Sequence, residues 1–240
     1  AFEFANIHSI LRSAPGVYAR EEDGLGTFPR IGVRASASGR SDRISIREDG
    51  VPAAMAPYAN TSAYYFPSAA RMSGVEVLKG PEILRYGPQT TSGAINLLSP
   101  PIPDAPSGFL NTELGEWGTQ RAHAWAGGTV DQFGVVAEIY RHRTDGFQRI
   151  DRSSRTAGND VAEYMLKLRW RAPEGAGFQQ QFDLKLFKGD NDADVSYLGL
   201  TDADFRADPD RRYGLSELER MRQGREIVSL QHQAFFTPNL

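Results

Sequence analysis

From about residue 108 onward, apolar and polar residues alternate along the chain. In Glu163 to Arg171, the apolar Tyr164, Leu166, Leu168 and Trp170 interleave with Glu163, Lys167, Arg169 and Arg171. In Phe178 to Lys188, Phe178, Phe182, Leu184 and Leu186 interleave with Gln179, Gln181, Asp183 and Lys185. In Arg225 to Phe236, Val228, Leu230, Ala234 and Phe236 interleave with Ser229, Gln231 and Gln233. Successive side chains on a strand point to opposite faces, so each segment predicts a strand with one apolar and one polar face. Three weaker strands are predicted before them, at about 108–116, 119–129 and 133–143.

Residues 1 to about 105 follow a different pattern. Asn6 stands at the N-cap position of a short helix whose Ile7, Ile10 and Leu11 share a face, and Pro15-Gly16 ends it. A polar, glycine-rich loop is expected from Glu21 to Gly39. Short strands are expected at 43–47, 75–78 and 94–98, with a turn at Asp49-Gly50 and one helical turn over 82–85. Pro100, Pro101 and Pro103 then make a stiff linker.

The connections carry a second signal. The turn at 130–132 and the segment 172–177 are short, whereas 145–161 and 189–224 are long. An up-and-down barrel in an outer membrane has short periplasmic turns and long external loops, and this alternation matches it. If the first strand rises from the periplasm, both long loops lie outside. A soluble β-sandwich with one wet face also alternates. Strands of 10–12 residues suit a tilted membrane crossing better than a typical sandwich strand of about 5–6 residues. Trp117, Tyr140, Tyr164, Trp170, Phe178, Phe235 and Phe236 fall near strand ends, where interface girdles lie.

Composition removes other classes. The 240 residues carry 27 Lys and Arg against 30 Asp and Glu, so there is no global basic field to collect nucleic acid. Cysteine is absent, which excludes a disulfide framework, a thiolate metal site and a cysteine nucleophile. No stretch approaches the 18 or so consecutive apolar residues of a transmembrane helix. The opening Ala1-Phe2-Glu3-Phe4 has neither the basic flank nor the apolar run of a signal peptide, so the chain is expected to begin inside a longer protein.

Catalytic signatures are weak. His8, His123, His142 and His232 lack metal-type spacing. Gly24-Leu25-Gly26-Thr27-Phe28-Pro29 opens like a dinucleotide loop but ends in proline. Lys79-Gly80 lacks the remainder of a phosphate loop. Asp190, Asp192 and Asp194 share the opening spacing of a calcium loop, yet Val195 and Thr201 occupy the positions that need Gly and Glu. There is no Gly-x-Ser-x-Gly elbow. No enzymatic activity is expected.

The informative blocks lie between residues 31 and 98. They are Ile31-Gly32-Val33-Arg34, Asp49-Gly50-Val51-Pro52, Val75-Glu76-Val77-Leu78-Lys79-Gly80-Pro81, Leu84-Arg85-Tyr86-Gly87-Pro88-Gln89 and Ser92-Gly93-Ala94-Ile95-Asn96-Leu97. In this order they resemble the plug domain of TonB-dependent outer-membrane receptors. With Ala56-Pro57-Tyr58 and Arg85-Tyr86-Gly87-Pro88-Gln89, they look most like the ferric-citrate receptor branch. The likeness continues through Gly127-Gly128-Thr129, Phe133-Gly134 and Thr201 to Asp208, and so spans nearly the whole chain.

The resemblance implies a mixed α+β plug domain over residues 1–105, followed over 106–240 by antiparallel transmembrane β-barrel strands. About six strands with two long extracellular loops would belong to a plugged barrel of about 22. It implies a bacterial outer-membrane importer of a ferric chelate, most simply ferric citrate or a related anionic carboxylate siderophore. Its partners would be TonB, through a TonB box upstream of Ala1, together with the chelate and outer-membrane lipid, with no nucleic acid. No resident cofactor is implied, because iron enters only within the transported chelate.

Residue by residue, the resemblance makes Arg34 and Lys79 the plug's contacts with barrel glutamates, or else direct ligand contacts. Lys79 stands where relatives carry arginine. Tyr58 and Asn60, on an apical plug loop, and Thr27 are candidate ligand contacts, and Tyr64 and Tyr65 either line the same vestibule or pack against the barrel wall. Arg152 and Arg155 in the first long loop and Arg211 and Arg212 in the second are candidate ligand contacts too, since the guanidinium fork suits carboxylates. Arg143, Arg149, Arg206, Arg220 and Arg222 lie in or beside the same loops. Solvated loop surface is the plainer reading of these arginines. A different cargo, such as a saccharide or a corrinoid, and a soluble β-rich binding or adhesion module remain the alternatives.

Overall fold

The computed structural model describes residues 6–21, 24–33, 41, 43–53, 65–81, 83 and 92–235. The chain divides into two units, Ala1–Pro101 and Ile102–Leu240.

The first unit opens with α1 (Ile7–Leu11), where the Asn6 side chain accepts a hydrogen bond from the His8 amide at 2.9 Å and so caps the helix. The segment expected to be a polar loop instead contains a strand hairpin. β1 (Val17–Glu21) pairs antiparallel with β2 (Pro29–Val33), Val17 opposite Val33. β2 does alternate, with buried Pro29, Ile31 and Val33 about exposed Arg30, but the segment is only five residues long and its Pro and Gly read as loop residues.

β3 (Ile44–Glu48), β4 (Val51–Pro52), β5 (Gly74–Leu78) and β6 (Gly93–Leu98) form one mixed sheet in the order β4-β3-β6-β5. β3 and β6 run parallel and the other pairs antiparallel. β6 is buried almost throughout, so its sequence is nearly continuously apolar. Ile95 and Leu97 pack with Ile7, Leu11, Ile31, Val33 and Ile44 in the core of this unit. The buried Asn96 is satisfied on both sides: it accepts from the Gly50 amide at 2.9 Å and donates to Glu76 at 2.8 Å. Asp49 and Gly50 both take left-handed backbone, φ 49° and 80°, as a tight β3–β4 hairpin requires. Beside that turn, Glu48 and Arg71 form an ion pair at 2.7 Å with both side chains fully buried. The helical turn expected over 82–85 falls largely outside the described residues.

The second unit consists of β7 (Ser107–Leu114), β8 (Gln120–Val130), β9 (Phe133–Thr144), β10 (Arg149–Ile150), β11 (Asn159–Arg171), β12 (Gln179–Ala193), α2 (Asp202–Ala207), β13 (Arg211–Arg212) and β14 (Met221–Phe235). Six of these strands make one antiparallel sheet in the order β7-β8-β9-β11-β12-β14. Each long strand therefore lies beside its neighbour in sequence, as in an up-and-down meander. The connections 115–119, 145–158 and 194–220 sit at one end of the sheet, and 131–132 and 172–178 at the other.

The strands outrun the alternating segments. β11 begins at Asn159, β12 runs on to Ala193 and β14 begins at Met221. Backbone pairing thus continues toward the long-loop end, past the point where apolar alternation stops. Gly158 permits the close entry into β11: a Cβ there would lie 1.7 Å from the Thr144 carbonyl oxygen.

Candidate functional site

The six-stranded sheet is inverted relative to a soluble protein. Its charged face is the sheltered one: Glu163 is 1% exposed and Lys185 7%, and His123, Glu138 and Gln181 are also buried. Its apolar face lies open, with Ile139 and Tyr164 each 44% exposed and Val135, Leu168, Phe182, Leu186, Val228 and Leu230 exposed as well.

The strand register aligns this apolar face into rows. Val135 stands opposite Leu168, Leu168 opposite Leu184, and Leu184 opposite Leu230. The next row is Ala137, Leu166, Leu186 and Val228. Phe133, Trp170 and Phe182 border these rows at the short-turn end, and Ile139 and Tyr164 border them toward the long loops. From Phe133 to Ile139 is about 20 Å along the strand, of the order of the ~25 Å apolar band of an outer-membrane barrel with aromatic margins. Beyond the band, the outward positions become Arg141, Arg143, Asp160, Asp190, Asp192 and Arg222.

Groups on the sheltered face satisfy one another across strands. His123 Nε2 lies 2.8 Å from Glu138, Arg169 pairs with Asp183 at 2.6 Å, and Arg171 donates to Gln181 at 2.7 Å. Such a face suits a polar interior, where unpaired charge would be costly.

At the long-loop end, the connections bond to one another. The Asp145 amide donates to the Trp117 carbonyl at 2.8 Å, and the Trp117 and Phe147 rings meet at 6.0 Å. β10 and β13 pair in parallel, joining 145–158 to 194–220. Arg149 grips both carboxylate oxygens of Asp208 at 2.9 Å. α2 starts from Thr201, whose hydroxyl accepts from the Asp204 amide at 3.2 Å.

The candidate ligand residues meet different fates here. Arg211 donates to Asp151 at 2.9–3.1 Å and to Asp204 at 2.7 Å. Arg212 is buried, donating to Ser216 Oγ at 2.8 Å, to the Ser216 carbonyl at 2.7 Å and to the Asp194 carbonyl at 2.5 Å. Both guanidiniums are thus engaged in loop structure. Arg152 and Arg155 are exposed, the latter 3.9 Å from Asp194. Arg206 is exposed on α2, and Arg220 pairs with Asp192. Arg143 and Arg222 fall on the outward face of the sheet by register. Thr27 is half-buried in the β1–β2 connection, and Tyr65 is buried. Lys79 donates to the Pro15 carbonyl within the first unit. Arg34, Tyr58, Asn60 and Tyr64 lie outside the described residues.

Sequence reasoning passed over the acids that engage these arginines, Asp151, Asp204 and Asp208, and the helix that carries Asp204. The signal was present: Thr201-Asp202-Ala203-Asp204 has the spacing of a capping box, Ser or Thr followed three residues later by an acid.

Hydrogen bonds from the Arg211 guanidinium hold the Asp151 carboxyl below the usual aspartate range. The Tyr213 hydroxyl, then the Thr201 hydroxyl, do the same for Asp204. Both groups titrate lower in the folded protein than in the unfolded chain. Their bonds therefore stabilise the loop pair at neutral pH and are lost as the pH falls through the lowered values. We expect the Asp151 amide, which donates to the Arg212 carbonyl at 2.8 Å, to keep its hydrogen-exchange protection from pH 7 down to about 4, the ordinary aspartate value, and to lose it below. Loss of protection already at pH 6 would count against the ion-paired loop.

Residues 1–94 match the family model described as the TonB-dependent receptor plug domain. Among solved structures, the chain is similar to the ferric citrate transporter FecA in its unliganded form, with TM-score 0.76 and 24% identity over 98% of this chain and 35% of that one. It is similar to the siderophore receptor PirA of Acinetobacter baumannii, with TM-score 0.65 and 17% identity over 98% and 36%. The ferric yersiniabactin uptake receptor FyuA of Yersinia pestis gives 0.63 and 20% over 78% and 29%. The chain thus spans about a third of the length of these receptors and shares their fold over that span.

Proposed function

We propose that this chain forms the plug domain and first barrel strands of a TonB-dependent outer-membrane receptor that imports a ferric chelate, foremost ferric citrate or a related anionic carboxylate siderophore. The observation that carries this reading is the inverted sheet: aligned rows of exposed Leu, Val and Ile, backed by a sheltered face of paired charges. A soluble sandwich would bury those rows, whereas a lipid-facing barrel wall exposes them. The plug-domain match supports the family, and the likeness to several siderophore receptors supports an iron chelate as cargo.

In this reading the protein makes and breaks no covalent bond. An anionic chelate settles at the outer rim against Arg152 and Arg155; Thr27, Tyr58 and Asn60 are separate candidates for ligand contact in the first unit. Arg211 and Arg212 build the rim rather than touch the ligand, since every guanidinium nitrogen of each already donates within the chain. Arg34 and Lys79 remain candidates for fixing the plug within the barrel. TonB supplies the energy for release.

The test is a titration of the full-length protein in outer membranes with ferric citrate, followed by tryptophan fluorescence, with iron-free citrate as control. Trp117, in the rim connection beside Phe147, is placed to report on it. Saturable quenching by the ferric form alone is the expected result. Its absence would remove ferric citrate as cargo.

A further inference from the structure

Arg152 stands out among the exposed arginines of the rim. Its backbone is left-handed, φ 56°, a conformation that costs a non-glycine residue energy and persists where neighbours impose it. Those neighbours belong to the other loop. On one side of Arg152, the Asp151 carboxylate receives Arg211 through two guanidinium nitrogens, at 2.9 to 3.1 Å, and the Asp151 amide donates to the Arg212 carbonyl at 2.8 Å. On the other side, the Ser153 hydroxyl donates to Glu217 at 2.6 Å. Gly214 brings the backbones together: a Cβ there would meet the Asp151 carbonyl oxygen at 2.6 Å. Arg152 itself is exposed and takes part in none of these bonds.

From this geometry we infer that Arg211 is a positioning residue: by clamping Asp151 to Asp204 it joins loops 145–158 and 194–220 into one wall and holds Arg152 outward to contact an anionic, carboxylate-bearing ligand. The inference rests on the reading of these loops as the outer rim of a ferric-chelate receptor. It separates two roles that arginine-rich loops leave mixed. Arg211 is committed to two carboxylates of its own chain, and the contact with the ligand falls to Arg152. A wall fixed in this way does not close over its ligand, so any closure belongs to other parts of the receptor.

Two measurements on the full-length protein in outer membranes test it. Ser154 and Leu215 are exposed on the two loops, so Ser154→Cys and Leu215→Cys accept spin labels, in a background where any cysteine outside these 240 residues is replaced. We expect one narrow distance distribution, unchanged by ferric citrate and broadened by Arg211→Ala. In binding, Arg152→Ala should weaken ferric citrate about tenfold, the loss of one charge-assisted hydrogen bond. Arg211→Ala should weaken it comparably, and the double variant should be no weaker than Arg152→Ala by more than about twofold, because both act through one contact.

A narrow distribution in Arg211→Ala, or a broad one in the parent, overturns the clamp. Additive losses near a hundredfold overturn the action of Arg211 through Arg152. Should Arg211→Ala fail to reach the membrane, Asp151→Asn with Asp204→Asn removes the same bonds and carries the same expectations. No saturable binding by the parent removes the ligand role of Arg152, while the label distances still decide the clamp. Labels unreachable by a membrane-impermeant reagent on intact cells overturn the rim reading itself.

Discussion

Leu184→Arg should destabilise the protein in a bilayer by about 2–4 kcal/mol, the cost of a cation near the midplane of a barrel's lipid face. Leu184 lies in the row Val135, Leu168, Leu184 and Leu230, one of the two central rows between the border formed by Phe133, Trp170 and Phe182 and that formed by Ile139 and Tyr164. The control is Gln231→Arg, on the opposite face of the sheet and paired with Asp183, where the same charge meets a carboxylate and should cost under about 1 kcal/mol. Urea-driven unfolding from lipid vesicles measures both. If this face met water instead of lipid, Leu184→Arg would be a surface substitution worth within about 0.5 kcal/mol. Equal midpoints for the two variants would sink the membrane reading, whatever the cargo.

Arg71→Leu should cost the first unit about 3–5 kcal/mol, because it removes a buried guanidinium 2.7 Å from the Glu48 carboxylate in the core. Both side chains are fully buried, and the pair joins the end of β3 to the short helical turn Ala69–Arg71. The loss should appear as faster hydrogen exchange at Ile46 and Ile95, at the centre of the parallel β3–β6 pair. Replacing both partners, Glu48→Leu with Arg71→Leu, should recover most of it, since two apolar groups need no compensation. Unchanged exchange in the single variant would show that the pair contributes little. Exchange in the double variant as fast as in the single would show that it specifies this packing.

Much of the second unit could be read from one residue to the next. A period of two is a local property, so the apolar faces that carry Leu168, Leu184 and Leu230 and the short and long connections follow from sequence spacing, whereas strand register aligns those residues into a row. The glycine and proline punctuation of the first unit is equally local, and Asp49-Gly50 behaves in the structure as its composition implies. The β1–β2 hairpin escaped because β2 is only five residues long and its Pro29 and Gly32 read as loop punctuation, which masks the alternation of buried Pro29, Ile31 and Val33 with exposed Arg30. The rim extensions of β11, β12 and β14 escaped because backbone pairing carries them through polar residues that side-chain patterning cannot identify as strand.

Local chemistry, then, was enough to say that this chain makes long two-faced strands after a small mixed domain, and that arginines crowd its long loops. Which arginine binds its own chain and which remains exposed is not a local property. Arg211 and Arg152 are the same residue type in similarly polar loops, separated in their bonding by Asp151 and Asp204, which lie 60 and 7 residues from Arg211 along the chain. The burial of Glu48 against Arg71 has the same origin. Charge pairs form in space, and the energy that commits or frees a side chain depends on partners and solvent that only the folded chain brings to it.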